Sequence, residues 1–106
     1  MAIEAIYSKD IDKAVEDKSS VIIDLRSKEE YQKKHIMGAY NIPYEISQER
    51  VFRLSKGRSY ILYCEKGVTS FRVAREMSSK GYQVKSLING ISMYKGKYLV
   101  KKKNIY

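Results

Sequence analysis

The sequence predicts an α/β fold, a small parallel β-sheet flanked by helices. Short strand-like segments recur at 21–25, 60–63 and 84–87, the first two of them apolar runs rich in β-branched or aromatic residues. Between them lie stretches with apolar residues at helical spacing. Gly, Asn, Ser or Thr punctuates most of the junctions. Strands that alternate with helices favour parallel pairing, because each return crossing is made by a helix. The 106 residues fit one domain over 1–106. A chain of this size buries roughly two-thirds of the surface it exposes when unfolded, enough for a core without staples.

The elements follow in order. Residues 2–6 form a short strand. Ser8 is placed to cap a helix that runs to Asp17, with Ile11, Ala14 and Val15 on one face. Residues 21–25 are apolar at nearly every position, the pattern of a strand buried on both faces. Ser27 followed by Glu30 spells a capping box and starts a short helix. Gly38 and Pro43 bracket an extended piece at 39–42. A polar helix covers 45–54 and ends at Lys56 and Gly57. Residues 60–63 form the second core strand. Thr69 or Ser70 caps the next helix, which turns Val73, Ala74 and Met77 inward, and Gly81 is placed to end it. Residues 84–87 form a third core strand. Asn89 and Gly90 make a turn into a short helix carrying Ile91, Met93 and Tyr94. From Tyr98 the chain alternates weakly and carries three consecutive lysines, Lys101 to Lys103.

Charge is unevenly distributed. Lys and Arg total 21 against 12 Asp and Glu, a formal net charge of +9. Residues 1–50 carry 8 basic and 10 acidic side chains, whereas residues 51–106 carry 13 basic and 2 acidic. A basic half attracts anions or an acidic partner, or it simply keeps the surface solvated. No nucleic-acid-binding motif accompanies the lysines, so nucleic acid is not an expected partner. The early Glu4 and the absence of a long apolar stretch argue against a targeting segment or membrane span. One cysteine excludes an internal disulfide and a thiolate-rich metal site. A lone thiol fits a reducing cytoplasm.

That cysteine, Cys64, directly follows a core strand and precedes a helix. Ligands of open parallel sheets bind beyond the C-terminal strand ends. A strand-to-helix turn aims several backbone N–H groups at one point, and the helix N-terminus adds partial positive charge. Lys66 adds a full charge, and Gly67 allows a left-handed backbone close to a ligand. These features favour thiolate over thiol. The expected site is therefore a catalytic Cys64 inside an anion cradle of Glu65, Lys66, Gly67, Val68, Thr69 and Ser70. A buried, inert thiol is the plainer alternative, and the strand–loop–helix setting counts against it.

Four segments carry a family resemblance. Asp24-Leu25-Arg26 stands at a strand end and is followed by Glu30-Tyr31. Residues 35–43 read H-I-M-G-A-Y-N-I-P. Residues 64–69 read C-E-K-G-V-T. Gly81-Tyr82 is followed by Val84, Leu87 and Asn89-Gly90. Over about residues 2–95 the chain resembles single-domain rhodaneses, the thiosulfate sulfurtransferase-like family. The resemblance implies a rhodanese-like fold and an enzyme that moves sulfane sulfur. Cys64 would take the outer sulfur of a small anionic donor such as thiosulfate. It would hold that sulfur as a persulfide and pass it to a thiophilic acceptor, a thiol or a protein. No metal and no organic cofactor is expected. Asp24 and Arg26 are expected to support the site as an ion pair near its mouth. His35 belongs to the H-I-x-G-A turn of the family pattern rather than acting as a base. Glu65 departs from the Arg of the closely similar C-R-K-G-V-T loop and removes a positive charge from the mouth. Asn89 replaces the first of two usual glycines, and Tyr94 a common Trp. The basic tail, 98–106, lies outside the resemblance.

Other functions are less compatible with the residues. Cys-dependent phosphatases need an Arg six positions after the cysteine to clamp phosphate; Ser70 stands there. A non-catalytic interaction module acting through its basic face is the main alternative, since fold alone does not fix function.

Overall fold

The structure, a computed structural model, describes residues 4–102. Five parallel strands form the central sheet in the order β1-β6-β5-β2-β4. They are β1 (Glu4–Ile6), β6 (Gln83–Leu87), β5 (Ser59–Tyr63), β2 (Ser20–Asp24) and β4 (Tyr40–Asn41). The expected strand at 2–6 is present from Glu4; residues 2 and 3 lie outside the described part.

Adjacent residues on the central strands face opposite cores, as a pleat of period two requires. Ile23 and Leu62 pack on one face with Val73, Ala74 and Met77 of α4 (Val68–Ser79). Ile22 and Ile61 pack on the other with Ile11 of α1 (Ser8–Asp17) and with Ile36, Ile91 and Tyr94. The continuous apolar runs follow from this two-sided burial.

Several local expectations need correction. Tyr7, in extended conformation, is the N-cap of α1, and Ser8 is the first helical residue. Gly67 is the N-cap of α4, so neither Thr69 nor Ser70 caps it. The polar helix divides into α3 (Tyr44–Arg50) and a 3₁₀ turn over Val51–Arg53. Tyr82 donates its hydroxyl hydrogen to the Leu54 carbonyl at 2.8 Å and Tyr60 donates to that of Ser55, drawing the chain out of the helix. Met93 is exposed, because residues three apart eclipse in a 3₁₀ turn and Ile91 and Tyr94 share the inner side.

Two capping features hold as read. In α2 (Lys28–Lys33), the Glu30 N–H donates to Ser27 Oγ at 3.2 Å, and the Ser27 N–H donates back to Glu30 Oε1 at 3.3 Å. At the end of α4, Gly81 takes φ +95°, and the Tyr82 and Gly81 N–H groups donate to Met77 and Ser78. This double bond pattern is a Schellman ending.

A second sheet was not legible in the sequence. Strand β3 (Lys34–Ile36) pairs antiparallel with β7 (Leu99–Lys101), with Lys34 opposite Lys101 and His35 opposite Val100. The start of the basic tail is thereby fixed to the body of the fold. Residues 103–106 lie outside the described part. No helix among the described residues is long and apolar enough to cross a membrane.

Candidate active site

Cys64 directly follows the central strand β5, on the side where parallel sheets bind ligands. Its side chain is buried, with 7% of its surface exposed. The chain then turns through Glu65, Lys66 and Gly67 into α4. Gly67 adopts φ +98°, a left-handed conformation that starts the helix immediately. A Cβ there would lie 3.0 Å from the Asn89 backbone nitrogen and 3.3 Å from the Leu87 carbonyl oxygen.

The turn wraps the sulfur. The Gly67 N–H points at Sγ from 3.2 Å and the Ser70 N–H from 3.3 Å. The Ser70 hydroxyl lies 3.5 Å from Sγ and 2.9 Å from the hydroxyl of Ser86, on β6. Two backbone donors converging on one atom create positive potential there, aided by the helix N-terminus. A second pair of bonds fixes the turn from outside: the Ile91 N–H donates to the Cys64 carbonyl and the Ser92 N–H to that of Glu65, each at 3.0 Å. Gly90 makes this approach possible, since a Cβ there would lie 2.4 Å from both carbonyl oxygens.

Cys64 lines an open cleft of about 530 Å³. Lys66, Val68 and Thr69 line it together with Arg26, Glu30, Tyr44, Glu45 and Glu65. Of the seven loop residues of the sequence reading, Cys64, Glu65, Lys66, Val68 and Thr69 line the cleft, and Gly67 and Ser70 supply the N–H donors. Ser70 lies beneath, fully buried, and contacts the sulfur from below.

Asp24 and Arg26 form a buried ion pair beside the cleft. The Arg26 side chain donates to Asp24 Oδ2 at 2.9 Å through one terminal nitrogen, and its Nε lies 3.2 Å from Oδ1. The same terminal nitrogen donates to the Lys34 carbonyl, and the other donates to Glu65 Oε1 at 3.3 Å. Burial alone pulls the guanidinium pKa down, but the hydrogen bonds and charge of Asp24 outweigh it and hold the group above its ordinary value. Beneath the pair, burial and then the Asp24 charge push the Tyr63 hydroxyl well above the usual tyrosine range. That hydroxyl accepts the Ile36 N–H at 3.0 Å.

His35 is not among the cleft residues. Its Nδ1 lies 2.8 Å from the Tyr31 carbonyl, which can only accept, so this nitrogen carries the hydrogen. The imidazole stacks on the Tyr31 ring at 3.9 Å. Sequence reasoning missed Ser86, Gly90 and the cleft-lining Glu30, Tyr44 and Glu45. A serine inside the expected core strand at 84–87 was the one available signal for Ser86.

The comparisons agree with this architecture. The rhodanese-like domain model matches residues 8–97. The tRNA sulfurtransferase of Desulfurococcus amylolyticus is 36% identical over 89 residues, 84% of this chain but 17% of the relative. The thiosulfate sulfurtransferase GlpE of Coxiella burnetii is 30% identical over 82 residues, 76% of this chain and 77% of the relative. Among solved structures, a rhodanese-related protein from Thermoplasma volcanium superposes with a TM-score of 0.83 at 22% identity, covering 92% of this chain and 97% of that one. The chain belongs to the rhodanese-like domain family. It spans less than a fifth of the tRNA sulfurtransferase and about three quarters of GlpE.

Proposed function

We propose that residues 1–106 act as one cytoplasmic sulfurtransferase domain that carries sulfane sulfur on Cys64. The carrying observation is the convergence of the Gly67 and Ser70 N–H groups on Sγ of Cys64, a residue that lines an open cleft. A sulfur nucleophile and its anionic products need such donors, and a donor pair already oriented costs no reorganisation. The curated relatives named as sulfurtransferases support the same reading.

The chemistry balances without a cofactor. The Cys64 thiolate attacks the outer sulfur of a donor such as thiosulfate. The donor S–S bond breaks, and sulfite leaves with the electron pair. Cys64 now bears a persulfide whose outer sulfur lies in the cleft among Lys66, Val68 and Thr69. An acceptor nucleophile, cyanide in an assay or a thiolate, attacks that outer sulfur. The new S–S bond breaks and the Cys64 thiolate returns.

Two separate half-reactions predict ping-pong kinetics. Double-reciprocal plots with thiosulfate varied at several cyanide concentrations should give parallel lines, and Cys64→Ser should fall to the background rate. Intersecting lines would contradict a covalent carrier.

A further inference from the structure

The β3–β7 sheet brings together two lysine pairs, Lys33-Lys34 and Lys101-Lys102, that lie more than sixty positions apart in the sequence. Lys34 lies directly opposite Lys101 in the antiparallel ladder. The Lys102 N–H donates to the Lys33 carbonyl at 2.9 Å, which places the second pair of lysines together as well. All four line one open cleft of about 420 Å³. None has a carboxylate oxygen within 4.0 Å among the described residues. Like charges directly opposite one another on a ladder are destabilising, so this arrangement carries a cost that an anionic partner relieves.

The lysine cleft adjoins the sulfur site. Arg26, Glu30 and Glu65 line both. An occupant of the lysine cleft therefore reaches the mouth above Cys64 by crossing the Arg26–Glu65 pair. The mouth itself is mixed in charge: Glu30, Glu45 and Glu65 stand there with Arg26 and Lys66, beside the exposed side chains of Tyr44 and Val68. Phe71, three residues after Val68 on the same helical face, is also exposed. A nucleic-acid backbone repeats its negative charge at every step and would meet those carboxylates. A polypeptide can place acidic residues on the lysines and apolar or basic ones at the mouth. Exposed aromatic and aliphatic groups beside charged ones also match the anatomy of protein interfaces.

We propose that this lysine cleft docks an acidic segment of a protein sulfur acceptor, whose cysteine thiol then enters the mouth above Cys64. The inference rests on the sulfur-carrier reading of Cys64. In the transfer, the acceptor thiolate attacks the outer sulfur of the Cys64 persulfide. The Cys64 S–S bond breaks, Cys64 leaves as thiolate, and the acceptor becomes a persulfide; no outside oxidant or reductant is consumed.

The test uses three synthetic cysteine peptides of equal length, flanked by glutamates, glutamines or lysines. Each serves as acceptor from the sulfur-loaded protein. The glutamate peptide should show a kcat/KM about tenfold above the glutamine peptide, and the gap should close at about 0.5 M salt. The Lys33→Glu/Lys102→Glu double variant should reverse the order in favour of the lysine peptide. Lys33→Gln/Lys102→Gln should remove the preference and serves if the reversal variant fails to fold. Equal rates for the three peptides, or a preference unmoved by these variants, would overturn the proposal. So would stronger competition by a single-stranded RNA than by polyglutamate of equal charge, which would assign the cleft to nucleic acid. Fluorescence anisotropy of the labelled glutamate peptide reads docking without sulfur transfer. If no donor loads Cys64, the carrier reading fails; selective, salt-sensitive binding by the unloaded protein would still support the docking site, and its absence would overturn it.

Discussion

Arg26 commits its guanidinium to protein partners. Asp24 takes Nε and one terminal nitrogen, the Lys34 carbonyl shares that nitrogen, and Glu65 takes the other. Glu65 therefore both adds a negative charge to the mouth and occupies a donor that faces it. A small dianion such as thiosulfate meets the cost of both. Replacing Glu65 by Arg should raise kcat/KM for thiosulfate about tenfold, the scale expected when a nearby partly screened charge is reversed. Steady-state assays with cyanide as acceptor measure it, and an unchanged or lower value would contradict this role. The single cysteine, the loop that follows it and the Asp24–Arg26 pair were all legible in the sequence. The bond from Arg26 to Glu65 was not, because it joins residues 39 apart through side-chain placement alone.

At the scale of elements, the turn from β5 into α4 is held from both sides, by Gly67 against the 87–89 backbone and by Gly90 against Cys64 and Glu65. The two glycines at 81 and 90 separate stability from function. Both have positive φ, but Gly81 has open space where a Cβ would go, whereas at Gly90 a Cβ meets backbone oxygens. Gly81→Ala should cost about 1–2 kcal/mol, the penalty of the left-handed region for an L-residue, and leave sulfur transfer intact. Gly90→Ala should cost at least as much and also slow transfer, because the carbonyls it pushes belong to the cysteine loop. Denaturant melts and transfer rates on the same samples distinguish the two; equal transfer rates would refute the assignment of Gly90. Asn89 adopts φ +64° without being glycine, which its short polar side chain tolerates. The central strands and the α2 capping box were readable from local pattern. The β3–β7 pair was not: each strand has three residues, and the partners lie more than sixty positions apart, so no local signal marks the pairing.

Across the whole molecule, residues 94–98 tie the far end of the chain to α1. Tyr94 donates its hydroxyl hydrogen to Asp12, Tyr98 donates to Glu16, and the Lys97 ammonium lies 3.2 Å from Glu16. Burial, followed by the hydrogen bond to Asp12, pushes the Tyr94 hydroxyl up to about 12. Below pH about 10 the hydroxyl keeps its proton in both folded and unfolded chains, and its stabilising contribution is complete. Between about 10 and about 12 the unfolded chain loses its proton first, so stability falls as pH rises. Tyr94→Phe should be less stable at neutral pH yet show a shallower alkaline loss. Urea midpoints at about pH 9 and about pH 11 would show this, and an unchanged slope would contradict it; Tyr63, displaced in the same direction, leaves some slope in the variant. The charge asymmetry of the sequence takes a definite form at this scale. Four of its lysines gather on one cleft beside the candidate site, whose mouth mixes Glu30, Glu45 and Glu65 with Arg26 and Lys66. Composition revealed the excess of positive charge, but only the tertiary pairing of β3 with β7 determined where it is concentrated.

The central claim is that Cys64 carries a transferable sulfur atom. Intact mass spectrometry after incubation with a sulfane-sulfur donor, thiosulfate or a hydropersulfide, tests it most directly. The protein should gain the mass of one sulfur atom, lose it on addition of cyanide, and gain none when Cys64 is replaced by Ser. A wild-type chain that takes up no sulfur from either donor would contradict the carrier role and leave the fold to serve as a binding module.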